Sequence, residues 1–247
     1  FKFNIIYILY NMNEYILQQI KNQLNINSKN IIGIHGPQGI GKTSLNKYLK
    51  KNLNNDKYNV IFLSLDDFYL KINDMKKFLS ESENNLYKFR GFPGTHDIDL
   101  LYNTILNLIN EKKTYLPVFD KTIENGFGDR VKYNEFNEKY NIIVFEGWMI
   151  GYEPLINNED KEYDYFNDNL KKYKKIQDLV TIWICLETDN LENIIDWRFS
   201  AEPENGMNKK TFLEFMKPYF KIYNKYSIKK DKIIVDKNRN IINKKYN

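Results

Sequence analysis

One cysteine stands in 247 residues, Cys185, inside the apolar run TIWICL. A lone cysteine excludes an internal disulfide and any all-cysteine zinc site, and in such a run it is a small buried hydrophobe. A reducing compartment follows, so the cytoplasm is the expected location, with an organelle left open. Histidine is almost as scarce: only His35 and His96. No apolar stretch is long enough to span a bilayer. FKFNIIYILYNM at the start is apolar but short, and it lacks the charged lead and small-residue cleavage site of a secretory signal. A membrane is therefore not an expected partner. The net charge of +5 suits anionic ligands. No basic stripe is interleaved with aromatics, however, and KKYKK at 171–175 reads as a solvated helix face, so nucleic acid is not expected either. There is no internal repeat, and the Asn-Lys-x-Asp segment of guanine-specific switch proteins is missing.

What is present is an alternation of strand-like and helix-like patterns. NIIGIH (30–35), NVIFLSL (59–65), NIIVFEGW (141–148) and LVTIWICLE (179–187) are apolar throughout and read as buried strands. IDLLYNTILNLIN (98–110) has the helical period, with Asp97 as its N-cap. DNLENIIDWRF (189–199) and NKKTFLEFMKPYFKIYNKY (208–226) read as helices, and DKIIVDKNRNII (231–242) as a final strand and hairpin. Continuous apolar strands separated by helices imply an α/β fold, a mostly parallel sheet with helices on both faces. A chain of this length forms one domain, 1–247, with 187–227 as lid and C-terminal helices. The charged stretch 151–177 reads as a surface insertion carrying one helix. Ile16, Leu17, Ile20 and Leu24 share a helical face just after Met12. Met12 is expected to be the native start, with 1–11 an upstream or processed extension; a genuine first strand or arm is the alternative.

The strongest motif is GPQGIGKTS, between the first strand and a helix reaching about residue 52. Gly36, Pro37, Gln38, Gly39, Ile40, Gly41, Lys42 and Thr43, with Ser44 following, match the phosphate-binding loop in its required context. The glycines let backbone N–H groups curl around phosphates at a helix N-terminus whose dipole favours anions. Lys42 reaches the terminal phosphates, and Thr43 offers its hydroxyl to Mg²⁺. The expectation is a P-loop NTPase three-layer fold binding ATP with Mg²⁺; the missing guanine segment favours ATP over GTP.

The acceptor of that phosphate has its own signals. SLDDFYL puts Asp66 and Asp67, with Tyr69, at the carboxyl end of a parallel strand, where ligands of such sheets bind. One carboxylate there can take the proton of an attacking hydroxyl, and Asp66 is the expected base. Asp67 can order metal-bound water or cap the next turn, and capping is an alternative for both. RGFPGTHD (90–97) and FDKTIENGFGDR (119–130) place Arg90, His96, Asp120, Lys121 and Arg130 on glycine loops. Such cations suit an anionic acceptor or a transferring phosphate, although ordinary polar loops are the other reading. His35 reads as structural. Arg198, beside Trp197, can close over the triphosphate as an arginine finger, or it is an arginine on a solvated helix face. In the last long helix Phe212, Phe215, Met216, Phe220 and Tyr223 form a core stripe, and Tyr219 or Tyr223 can line the acceptor pocket.

Taken in order, GPQGIGKTS, SLDDFYL, PGTHD, FDKTIENGFGDR, FEGWMIGYEP, WRFSAEPENGM and VDKNRNI resemble the plant-type D-glycerate 3-kinase family and its fungal ATP-binding relatives. These stand within the P-loop small-molecule kinases that include uridine kinase, phosphoribulokinase and pantothenate kinase. The resemblance runs from about residue 30 to 242. It implies transfer of the γ-phosphate of ATP to a hydroxyl, the 3-hydroxyl for glycerate, with Mg²⁺. It also implies Asp66 as base, Lys42 as loop lysine, Thr43 and Glu146 at the metal, and a lid arginine near Arg198. The partner expected is a small acidic or hydroxylated metabolite, and the protein is expected to be a monomer or homodimer. Uridine- or pantothenate-kinase-like transfer stays open, as does a nucleotide-binding regulator without an acceptor.

Overall fold

The computed structural model describes residues 12–25, 27–53, 58–82, 90–156, 161–201, 209–226, 228 and 230–245. The extension 1–11, and with it the reading of Met12 as a start, lies outside the described residues. The chain runs α1 (Met12–Gln23), β1 (Asn30–His35), α2 (Lys42–Leu53), β2 (Val60–Ser64), α3 (Ile72–Glu81), α4 (Ile98–Ile109), β3 (Thr114–Asp120), α5 (Ile123–Gly126) and β4 (Asp129–Phe136). It continues through β5 (Ile142–Gly147), α6 (Asp164–Lys171), α7 (Lys174–Gln177), β6 (Ile182–Thr188), α8 (Glu192–Ala201), α9 (Lys209–Lys225), β7 (Lys232–Val235) and β8 (Ile241–Lys245).

The main sheet has the order β2-β5-β1-β6-β7-β8, parallel except for β8, which returns antiparallel from β7. β1 is central, and all six of its residues are buried. An apolar run without alternation is what a strand covered on both faces requires. α1 packs on α2, and the two lie over β6 and β2. One continuous set of buried apolar side chains reaches from Met12 to Val235. The architecture is a three-layer α/β arrangement.

Register decides what meets at the carboxyl edge of this sheet. Ile34 of β1 pairs with Glu146 of β5, and Ser64 of β2 pairs with the same Glu146. The glycine loop begins at Gly36 and the aspartate pair at Asp66, each two residues beyond that row. A strand advances ~3.3 Å per residue, so all three features emerge side by side.

Two elements depart from the sequence reading. The stretch 114–136 forms a two-stranded antiparallel ribbon, β3 with β4, outside the main sheet. Pro117 sits inside β3, which only an edge position tolerates, and a ribbon of two strands offers edges on both sides. The stretch 151–177 is not a surface insertion: Tyr152, Tyr163, Phe166, Leu170, Tyr173 and Ile176 are buried in the main core. Its lysines do face solvent, Lys174 pairing with Asp178 at 2.6 Å, but they clothe two short helices whose other side is buried.

Candidate active site

The loop after β1 turns through Gly39 (φ 80°) and Gly41 (φ 113°), left-handed conformations that glycine adopts without strain. α2 then begins at Lys42, so the loop N–H groups and the helix N-terminus converge on one point. A Cβ added at Gly39 would lie 3.1 Å from Trp197 Cβ and 3.2 Å from Arg198 Cγ, so α8 rests directly on the loop. From below, Tyr223 of α9 donates its hydroxyl to Gln38 Oε1. Lys42 Nζ donates to the carbonyls of Gly36 (2.7 Å) and Pro37 (3.0 Å). Burial holds the Lys42 ammonium below its ordinary pKa, opposed by the nearby charges of Glu146 and Asp66.

A cleft of about 810 Å³ opens over this loop. Gly39, Gly41, Lys42, Thr43 and Ser44 form its floor, with Gln38 beside them. Asp66, Lys121 and Glu146 stand at one end, and Trp197, Arg198 and the β7–β8 turn at the other. The acids are wired together by Ser64, whose hydroxyl donates to Glu146 Oε1 at 2.8 Å and accepts from Asp66 N at 3.3 Å. Burial raises the pKa of Glu146, against the pull of Lys42 and Ser64.

Asp66 lies in a short 3₁₀ turn after β2. Its Oδ1 accepts from the Tyr69 hydroxyl at 3.0 Å, and its Oδ2 from Lys121 Nζ at 2.6 Å. Burial opposes its ionisation, but the charge and hydrogen bond of Lys121 outweigh that and hold the carboxyl below its ordinary pKa. Asp67 points elsewhere: it accepts from the Phe119 backbone N–H, which ties the turn to β3, and burial raises its pKa.

Of the residues the glycine loops offered, Lys121 alone lines this cleft. Tyr69 is buried, reaching it only through Asp66, and its ring stacks on His96 at 4.3 Å between centroids. His96 sits behind that ring, buried, with Nδ1 2.8 Å from the Tyr173 hydroxyl, and burial pushes its pKa down to about 3. The Arg90 guanidinium lies 5.7 Å over the rings of Tyr69 and Phe119 and donates to Phe127 O at 2.9 Å. Arg130 bonds Asp97 at 3.0 Å, with 5% of its side chain exposed, and so fixes the N-cap of α4, where Asp97 accepts from Leu100 N. Asp120 folds its own turn, accepting from Thr122 N and Oγ1. These residues shape the wall rather than the opening. His35 accepts from Gly151 N at 3.0 Å, inside the core.

The β7–β8 turn brings residues for which the sequence reading had no role. Asn238, Arg239 and Asn240 line the cleft, as do Met12 and Asn13 from α1. Arg239, at φ 64°, donates to Gly39 O at 2.9 Å, and its guanidinium stacks 4.7 Å over the Trp197 ring. Asp236 holds the turn by accepting from the backbone N–H of Asn238 and Asn240, each at 2.8 Å. The local signal was DKNRN, an Asp/Asn-rich turn between two apolar runs; what it approaches is a matter of tertiary contact.

A phosphate loop at the head of α2, a strand-end acid and a second acid joined to it through Ser64 define the class of P-loop phosphotransferases. The chain belongs to the phosphoribulokinase/uridine kinase family, whose model matches residues 31–179. It is 30% identical over 220 residues to the "Uncharacterized kinase mug58" of Schizosaccharomyces pombe, covering 78% of this chain and 79% of that one. It is 28% identical over 215 residues to the chloroplastic D-glycerate 3-kinase of Arabidopsis thaliana, covering 79% of this chain and 47% of that protein's length. The solved structure of D-glycerate 3-kinase from Cryptococcus neoformans superposes with a TM-score of 0.76 at 25% identity, over 95% of this chain and 96% of that one. The protein is thus a kinase of this family. No described helix is long and apolar enough to cross a membrane.

Proposed function

We propose that this kinase transfers the γ-phosphate of ATP to a hydroxyl of a small acidic alcohol, with the 3-hydroxyl of D-glycerate as first choice. The observation that carries this reading is the meeting of Lys42, Asp66, Glu146 and Lys121 at one end of a single cleft. The names of the Arabidopsis and Cryptococcus relatives support glycerate as the acceptor.

In-line phosphoryl transfer asks little covalent chemistry of a protein; positioning and charge neutralisation carry it. The loop N–H groups hold the phosphates, and Lys42 exchanges its loop carbonyls for the terminal oxygens. Asp66 accepts the hydroxyl proton as the acceptor oxygen bonds the terminal phosphorus and the bond from that phosphorus to ADP breaks. Arg198 adds positive charge from the lid side. Thr43 at the first turn of α2 and the Ser64-held Glu146 fit a Mg²⁺ site of the usual oxygen-donor kind. An ion held there would supply positive charge to the phosphates.

The paired cations Lys42 and Lys121 favour an acidic acceptor over uridine, and an acid facing a phosphate loop across a cleft is more than a nucleotide-dependent switch requires. The test is ADP release from MgATP with D-glycerate, pantothenate, uridine or no acceptor. Release that depends on D-glycerate supports the reading. Release driven only by uridine or pantothenate reassigns the acceptor, and none with any acceptor returns the protein to the regulatory class.

A further inference from the structure

Both oxygens of Asp66 are engaged, but by partners of opposite character. Tyr69 is fixed: its side chain is buried, and its ring is clamped between His96 and Phe119. Lys121 is not. It is the first residue beyond β3, 53% of its side chain is exposed, and it lines the open cleft. Its backbone is nevertheless pinned, because Asp120 on one side closes the turn through Thr122. A pinned base with a long, solvated side chain is built to swing its ammonium and little else.

The groups that face Asp66 leave room for one exchange. Lys42 approaches from α2, Glu146 from β5, Asp67 from the same turn, and His96 and Tyr69 from the buried side. Lys42 is committed to the phosphate loop. Lys121 is therefore the cation at this end that an incoming anion can recruit.

We propose that Lys121 is a latch on the base and the receptor for the acceptor's carboxylate, occupying these roles in turn. Without acceptor its ammonium neutralises Asp66, so a water molecule at the γ-phosphate finds no competent base. An acceptor carboxylate draws Lys121 off Oδ2, and its hydroxyl takes the vacated position. The base is then available only when the proper nucleophile is beside it. Proton bookkeeping is unchanged: the attacking oxygen's proton passes to Asp66 and ADP departs. This deepens the reading above and rests on an acidic acceptor for its second half, whereas its first half concerns ATP and water alone.

The experiment compares the parental chain with Lys121→Met and Lys121→Arg, in MgATP, with and without D-glycerate. Lys121→Met is expected to raise acceptor-free ATP hydrolysis roughly tenfold, the scale of losing one partly exposed charge pair. Adding Asp66→Asn on that background returns hydrolysis to the parental level. Lys121→Met is also expected to raise the KM for D-glycerate about tenfold while kcat changes less. Lys121→Arg retains the KM but lowers kcat, because a planar fork releases a carboxylate less readily. Acceptor-free hydrolysis that is unchanged or lower in Lys121→Met, with an unaltered melting temperature, overturns the latch. An unchanged KM for D-glycerate overturns the receptor role. If D-glycerate gives no ADP even with the parental chain, the glycerate reading falls, and the hydrolysis comparison alone decides the latch.

Discussion

At Asp66 two forces act in opposite directions, and the ion pair to Lys121 wins: burial would keep the carboxyl protonated, yet it stays ionised below the ordinary carboxylate range. Asp66→Asn keeps the volume and the Tyr69 contact but cannot take a proton. It is expected to lower kcat by about 10²–10⁴-fold, with nucleotide affinity changed little; isothermal titration and single-turnover kinetics measure the two separately. His96 bears on stability rather than turnover. Its ring takes up a proton near the ordinary value of 6.5 when the chain is unfolded, but only near 3 when buried beside Tyr69. The unfolded state therefore binds more protons between those limits, and stability is lost as pH falls through them. His96→Gln is expected to flatten that slope in urea denaturation series between pH 7 and 4. Asp66 and Lys42 were legible in the sequence because their neighbours are local: a strand end, a glycine loop, a helix start. The burial of His96 was not, because its partner Tyr173 lies 77 residues away on an unrelated helix.

Among elements, the ribbon and the final hairpin do the shaping. The β3–β4 ribbon delivers Lys121 to the cleft and is fastened to α4 by the Arg130–Asp97 pair. Removing one partner of a nearly buried pair leaves the other uncompensated, so Arg130→Ala is expected to cost about 2–3 kcal/mol. Amide exchange across 114–136 should quicken more than in β1. Asp97→Asn in the same background should recover part of the loss, as a double-mutant cycle. The final hairpin places Arg239 between Gly39 and Trp197. Arg239→Ala should weaken nucleotide binding by about tenfold, a magnitude suited to one stacked, hydrogen-bonded guanidinium. The buried parallel strands were readable because continuous apolar runs have few other uses. The ribbon was masked by Pro117 and by the exposure of β4, and α6 and α7 by the lysines beside their buried Phe166, Leu170 and Ile176. Arg90, Arg130 and Asp120 looked like substrate groups because composition does not say which charged side chains a fold spends on its own carbonyls, rings, caps and turns.

For the whole molecule, one buried cluster runs from α1 to β7 without interruption. A single unfolding transition is expected, seen alike by tryptophan fluorescence and circular dichroism. Nucleotide at ~100 times its Kd adds about 2.7 kcal/mol of stability by mass action. For a chain of this size that is a rise in Tm of roughly 5–10 °C. A rise confined to one probe would mean that the cleft closes over a unit that melts separately.

Arg239 and Gly39 touch although they stand 200 positions apart in the chain. A nucleotide in the cleft that both of them line clasps two distant stretches of backbone, much as a brooch joins the two edges of a cloak. A protease nick in an exposed connection along that span should leave both fragments joined through the common sheet and core, and bound ligand should raise the urea concentration at which they part.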